Sequence, residues 1–335
     1  MRTIPTLATW LPAAAACLAL LASCASYIPV DTEHKSQTSD HVNVINLRYV
    51  TNRALISSRS NGRYYDDRRG ELSAGICTVG FEARDRSGEV LSVETAPVDN
   101  VLDGLATGRV IVYVHGYSET FDRSCRRAAM LQSNLRLDDR LVLFSWPSSN
   151  FVTYTQDAAD LSASLDDLNR FITQAAQVIG HDRIVLMAHS MGSRGVVDAL
   201  RQRDGDVDKF SEAVFVAPDI RRDLFVENVQ MLQSKVSDLT VYASDNDLVL
   251  WLSTIVNVSG RLGVATEIDI DAEHMRIIDI SSTGVNFIGG HLYHIFNPAV
   301  AEDLRALFGS GPPGASRAWQ RVPGATDSIW RLEKG

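Results

Sequence analysis

The sequence has no block of lysine and arginine, no internal repeat and few cysteines, and each absence closes a class of protein. Its 335 residues carry 32 Lys and Arg against 41 Asp and Glu, a net charge of −9. An acidic chain without a basic stripe offers nothing to a phosphate backbone, so no nucleic-acid partner is expected. No metal is expected either. His291 and His294 could form half of a metal site, but no third and fourth ligand stands at matching spacing. The run "EIDIDAEH" alternates acid with apolar side chains, as a strand with one wet face does, and lacks the glycine and spacing of a calcium loop. No cofactor motif appears, and nothing identifies a protein partner.

The four cysteines divide by position. The opening "MRTIPTLATWLPAAAACLALLAS" has one early charge, Arg2, and an apolar run too short to be read as a membrane span. It reads as a secretory leader. Its end, "LASC" over Leu21 to Cys24, resembles the lipobox of bacterial lipoproteins, in which the cysteine is acylated and becomes the mature N-terminus. That resemblance implies a lipid anchor on Cys24, and Ala25 after it implies an outer membrane, facing the periplasm. Cys17 leaves with the leader. Cys77 and Cys125 remain, in a compartment that permits disulfides; a bridge and two buried thiols are both open, because nothing in the sequence fixes their separation.

An apolar fraction of 45% describes a globular chain. The expected organisation is a leader over residues 1–23, a flexible tether over 24–42, one domain over 43–309 and an irregular C-terminal tail over 310–335. Trp319 and Trp330 in that tail could dock back on the domain. "VNVINLRYV" and "SAGICTVGFEA" open the domain and suit antiparallel strands. Six continuous apolar runs follow: 109–115, 141–147, 183–188, 212–218, 238–244 and 275–281. Their length and β-branched content predict strands buried on both faces. Helical patterns lie between them, the clearest from Asp157 to Val178 with Gly180 closing it. Alternating β and α units specify an open, mostly parallel sheet flanked by helices, an α/β fold.

In such a sheet ligands bind at the carboxyl ends of the strands. "RIVLMAHSMGSRGVVDAL" places Ser190 where a strand must turn sharply into a helix, the context of a nucleophile elbow. Strand and helix pass closely there, so the residues two before and two after must be small. They are Ala188 and Gly192. The strict G-x-S-x-G string fails at its first position, although Ala meets the steric need. A serine in front of a helix can also be a simple N-cap. A serine nucleophile needs a base, which a third group orients, in the chain order Ser, acid, His. "VYASDNDLVL" supplies Asp245 and Asp247, "APDI" supplies Asp219, and "FIGGHLYHIFNP" supplies His291 and His294. Spacing leaves the choice open. The backbone N–H of Met191 can serve a developing oxyanion. The loop "VHGYSET" can supply a second through Tyr117, with His115 and Gly116 shaping the turn and His189 beside the serine.

These motifs, in this order, resemble the α/β-hydrolases of the esterase/lipase type once catalogued as a domain of unknown function (DUF900). The likeness runs from about residue 44 to 308 and includes "YVTNRA", "AGICTV", "VHGYSETF", "FSWPSS" with Tyr154 and Asp157 after it, "AHSMGSRGVVDAL", "APDI", "YASDNDLVL" and "GGHLYH". It implies Ser190 as nucleophile, Asp247 as acid because the acid precedes a small apolar pair, and His291 as base because a Gly-His-x-Tyr string belongs there. Two positions depart from the pattern: Ser118 stands where Asn is frequent, and His294 where an aromatic is usual. The expected activity is hydrolysis of a small or lipid-like carboxylic ester through an acyl-enzyme. An amidase or peptidase using the same residues, and a non-catalytic envelope scaffold that keeps the fold, are the alternatives. The segments 146–154 and 250–265 are expected to line the pocket mouth.

Overall fold

A strand whose every side chain is apolar must be covered on both faces, and the central strands of this protein are. A computed structural model describes residues 42–59, 62–82, 90–149, 154–203, 208–257, 259–265, 268, 270, 272–284, 289–308, 319–322 and 326–332. Residues 1–41, read above as a leader, a lipobox with Cys24 and a tether, lie outside the described residues, as do 309–318, 323–325 and 333–335. Among the described residues, no helix is long and apolar enough to cross a membrane.

The chain opens with β1 (Val42–Arg59), β2 (Gly62–Glu82) and β3 (Val90–Pro97), then alternates through β4 (Val110–Val114), α1 (Phe121–Leu135) and β5 (Leu141–Ser145). Next come α2 (Tyr154–Ala163), α3 (Leu165–Ile179), β6 (Ile184–His189), α4 (Gly192–Arg201), β7 (Phe210–Val216) and α5 (Arg222–Lys235). The remainder is β8 (Val236–Ala243), α6 (Leu248–Asn257), β9 (Met275–Asp279), α7 (Tyr293–Phe296), α8 (Pro298–Phe308), β10 (Trp319–Arg321) and β11 (Ile329–Leu332).

The strands form one sheet in the order β10-β11-β9-β8-β7-β6-β4-β5-β1-β2-β3. Pairing from β1 through β5, β4, β6, β7, β8 and β9 to β11 is parallel. The pairs β1–β2, β2–β3 and β10–β11 are antiparallel. Alternation along β4 shows why both faces are dry. Val110, Val112 and Val114 enter one core with Phe171 and Leu186, whereas Ile111 and Tyr113 enter the other with Leu131 and Met187. Cys77 of β2 is bonded to Cys125 of α1, with Cα atoms 6.3 Å apart, which ties the antiparallel edge to the helix that covers it.

Two features differ from the sequence reading. The helix expected from Asp157 to Val178 is two helices, divided at Ser164, whose hydroxyl donates to the Asp160 carbonyl at 2.7 Å. A serine that bonds back to the preceding turn bends a helix, and the apolar spacing alone does not register it. The segment after residue 310, read as an irregular tail, supplies β10 and β11, and β11 pairs with β9 from Ile329–Ile277 to Arg331–Asp279. Trp319 does dock, donating to Asp303 at 2.8 Å, with its ring centroid 6.0 Å from that of Trp330. Strands of three and four residues are too short to show a period.

Candidate active site

The turn between β6 and α4 forces Ser190 into the left-handed region, at φ 50°. A capping serine has extended backbone and bonds the first helical amides; here the N-cap position falls on Met191, and no side-chain cap is made. The turn is instead bound to its neighbours. Ser190 N–H donates to Val216 O at 3.0 Å, and Asp219 N–H donates to Ser190 O at 3.2 Å. Gly192 is required by close approach, because a Cβ there would stand 2.4 Å from His115 O and 2.7 Å from Val114 O. Ala188 is fully buried beneath it. Gly116 is confined in the same way: a Cβ would lie 2.8 Å from His189 Nδ1 and 3.0 Å from Ser190 Cβ. The loop after β4 and the elbow after β6 are therefore in van der Waals contact.

Asp247 and His291, 44 residues apart, meet in a hydrogen bond from Nδ1–H to Oδ2 of 2.7 Å, with both side chains buried. The other carboxylate oxygen accepts from Leu250 N–H at 3.0 Å, so the first turn of α6 fixes the carboxylate. Leu248 N–H donates to Gly289 O at 3.0 Å, and a Cβ on Gly290, at φ 65°, would lie 2.3 Å from Asn246 O. The two loops are laced together by backbone. Ser190 and His291 are not hydrogen-bonded to one another.

The other candidate residues have different surroundings. Asp219 is buried and accepts from Tyr154 at 2.6 Å, Arg194 at 3.0 Å and Ser253 at 2.9 Å, with Arg261 at 3.2 Å. Burial would raise its carboxyl, but the two guanidinium groups and these donors outweigh burial and hold it below the usual carboxylate range. Asp245 is exposed, its N–H donating to Ser281 Oγ at 3.0 Å. His294 is buried beneath the site, its Nε2 paired with Tyr113 Oη at 3.1 Å. Among the described residues, no three His, Cys, Asp or Glu side chains are arranged to hold a metal ion.

The loop 115–120 is held from below by residues the sequence did not single out for that task. Asp157, fully buried, accepts from Ser118 N–H at 3.3 Å and Ser149 N–H at 3.2 Å, and also from Ser148 Oγ. Arg53, likewise buried, donates to Glu119 O at 2.5 Å, to Ser145 Oγ at 3.1 Å and to Asp67 at 2.8 Å. Burial pulls its pKa down to about 10 against the opposing pull of Asp67 and Glu119. Ser118 has φ 58°, in the left-handed region, which Asn tolerates better than most residues. Tyr117, half-buried, places its ring centroid 5.9 Å from that of Tyr154. Trp146 does not line a mouth as expected. It is fully buried, stacked on His115 at 5.1 Å, and donates to His115 O at 2.9 Å. Residues 150–153 of that segment lie outside the described residues. In the other segment Leu250 and Leu262 are core residues, while Trp251 is exposed.

Three buried imidazoles surround the site. His115 Nδ1–H donates to Gly116 O at 2.8 Å, and His189 Nε2–H donates to His291 O at 3.1 Å. The His189 ring lies 4.4 Å from that of His294 and 4.7 Å from that of His291. Burial is the largest cause holding all three down, reinforced for His115 by the charge on Arg53, and His115 falls to about 3. His189 and His294 are pushed well below the ordinary imidazole range by burial and then by neighbouring histidines. Each is neutral near pH 7. Tyr293 adds a further tie, its hydroxyl accepting from Ala217 N–H and donating to Tyr242 O, both at 2.7 Å. This pins the His291 loop to the ends of β7 and β8.

Solved structures similar to this chain include the ydeN gene product of B. subtilis, 17% identical over 60% of this chain and 98% of that one, with a TM-score of 0.35. A thermostable esterase from Pseudomonas putida is 11% identical over 87% of this chain and 86% of that one, with a TM-score of 0.34. No curated protein matches the sequence. The family profile described as "Alpha/beta hydrolase of unknown function (DUF900)" matches residues 93–307, which span β4 to α8 and every candidate residue of the elbow and its two facing loops. With its parallel sheet and flanking helices, the chain belongs to the DUF900 family of α/β-hydrolases.

Proposed function

We propose that this hydrolase cleaves carboxylic esters by acyl transfer, with Ser190 as nucleophile, His291 as general base and Asp247 as the group that orients it. The observation that carries the reading is the left-handed Ser190 at the head of α4, beside His189, which bonds to the backbone of His291, whose ring is held by Asp247 at 2.7 Å. In the first step Ser190 Oγ attacks the ester carbonyl while His291 Nε2 takes its proton. Asp247 stabilises the imidazolium that forms. The negative carbonyl oxygen is received by the N–H groups of Met191, at a helix N-terminus, and Tyr117. The tetrahedral intermediate collapses, His291 returns the proton to the departing alkoxide, and water repeats the cycle on the acyl-enzyme.

Asp157 and Arg53 keep the 115–120 loop in place, so its donors are positioned before substrate arrives. Trp251 and Leu248 on α6, exposed beside Asp247, favour an apolar acyl group. The test is fluorophosphonate labelling of the wild-type protein with the modified peptide mapped by mass spectrometry, followed by p-nitrophenyl esters of increasing chain length and the matching anilides. Label on Ser190 and turnover of esters over anilides are expected. A folded protein that takes up no label at Ser190 would remove the reading.

The same proposal places the enzyme at the cell envelope through a lipid on Cys24. Cys24→Ser is expected to move the protein from the membrane to the soluble fraction and to abolish metabolic incorporation of labelled palmitate. Persistence in the membrane fraction without label would refute lipid anchoring.

A further inference from the structure

A cleft of about 380 Å³ lies between α4, α5 and the segment at residues 259–261, away from the Ser190 hydroxyl. On a chain of net charge −9, four arginines line it, Arg194, Arg201, Arg221 and Arg261, with Asp198 as its acidic lining residue and Asn228 as a further donor. We propose that this cleft is a binding site for a small organic anion, one that presents a phosphate or carboxylate group on a short hydrocarbon body. The inference goes beyond the hydrolase reading and does not depend on turnover.

The back wall is rigid. Arg261, with 2% of its side chain exposed, and Arg194, with 26%, both contact the buried Asp219, at 3.2 and 3.0 Å. Their guanidinium planes are thereby fixed. The front is adaptable. Arg201 and Arg221 are 59% and 49% exposed, and their partners Asp198 and Asp223 lie three and two residues away on the same stretch of chain. Exposed local ion pairs of this kind are weak, so a bidentate anion can take the guanidinium from them at little cost. The Asn228 amide donates one hydrogen to Leu224 O at 2.6 Å and keeps the other for a ligand, and Val197, Ile220 and Leu224 complete the floor. The four guanidinium groups outnumber the three carboxylates they pair with, Asp198, Asp219 and Asp223, so the cleft favours an anion over a cation.

The site is linked to the elbow through Arg194. Arg194 follows Ser190 by one helical turn, and Asp219, which it holds, donates its N–H to the Ser190 carbonyl at 3.2 Å. Occupancy of the cleft and the set of the elbow therefore share one side chain.

Isothermal calorimetry on the full-length protein with inorganic phosphate, butyl phosphate and pentanoate tests the proposal, with potassium chloride at matched ionic strength as control. Saturable binding is expected, butyl phosphate being tightest because it also covers the apolar floor. The phosphate and pentanoate arms assign the head group. Arg201→Gln with Arg221→Gln is expected to weaken binding by about tenfold or more. The double variant should keep its circular dichroism and its fluorophosphonate labelling, so a failure here is separable from a failure of the hydrolase reading. No saturable binding, an equal effect of chloride, or unchanged affinity in the double variant would each overturn the site.

Discussion

Ser190→Ala is expected to abolish fluorophosphonate capture and to lower ester cleavage by about 10⁴- to 10⁶-fold while the fold is kept. The Ser190 hydroxyl holds no helix end, because the N-cap is Met191 and the turn is fixed by backbone bonds to Val216 and Asp219. Removing one oxygen therefore costs chemistry rather than structure. Asp247→Asn is the companion variant. The carboxylate accepts two bonds, from His291 Nδ1–H and from Leu250 N–H. An asparagine has a single acceptor oxygen, and its amide nitrogen would turn a hydrogen toward one of these donors or drive His291 to the other tautomer. With the proton moved to Nε2, the ring cannot take the serine proton, and a loss of about 10⁴-fold in kcat follows. Asp245→Asn, on the exposed side of the same loop, is expected to leave the rate close to wild type. Retention of label by the Ser190 variant, or near-normal turnover by Asp247→Asn, would reassign the chemistry.

Stability is expected to fall steeply below pH 6.5, and the cause is the group of buried neutral histidines. His115, His189 and His294 all have folded-state pKa values below the ordinary value, and for His115 it is about 3. Unfolded, each titrates near 6.5. The unfolded chain therefore gains protons first as pH falls, so the stabilising contribution is complete above pH 6.5 and is lost progressively below it. An imidazole that stays neutral in the fold contributes at most about 1.4 kcal/mol per pH unit in that window, and the three act in the same direction. Against a total stability of roughly 5–15 kcal/mol, such a slope brings unfolding near pH 5 within reach. Asp219, held below its usual value by Arg194 and Arg261 against burial, adds a loss of the same sign at lower pH. Urea unfolding between pH 8 and 4.5 measures the slope. His294→Phe is expected to make the slope shallower while the site loops stay folded. A stability that is flat down to pH 5 would contradict neutral burial of these rings.

Most of the sheet and the elbow were legible along the chain because both are local. Continuous apolar runs at 109–115, 141–147 and 183–188 announced doubly covered strands, and all residues of the strands within them are buried. The spacing Ala188-x-Ser190-x-Gly192 encoded a tight strand-to-helix crossing, since the restriction on size acts within five residues. The order of serine, acid and histidine was equally readable, as were the antiparallel opening strands.

The choice among three aspartates was not decided by spacing. Asp219, Asp245 and Asp247 all sit in loops after strands, and only the fold shows Asp219 spent on two arginines, Asp245 turned to solvent and Asp247 against His291. The same holds for Arg53 and Asp157, whose partners lie tens of residues away and leave no periodic trace. Cysteine count left the state of Cys77 and Cys125 open, because a bridge depends on how β2 meets α1. Short edge strands β10 and β11 gain their order from pairing with β9 rather than from their own pattern. The fold family, the buried strands and the serine turn can be read along the chain because they are set by interactions between near neighbours. Which carboxylate faces which cation or imidazole is settled in three dimensions, because those pairings are made by contacts that exist only once the sheet has closed.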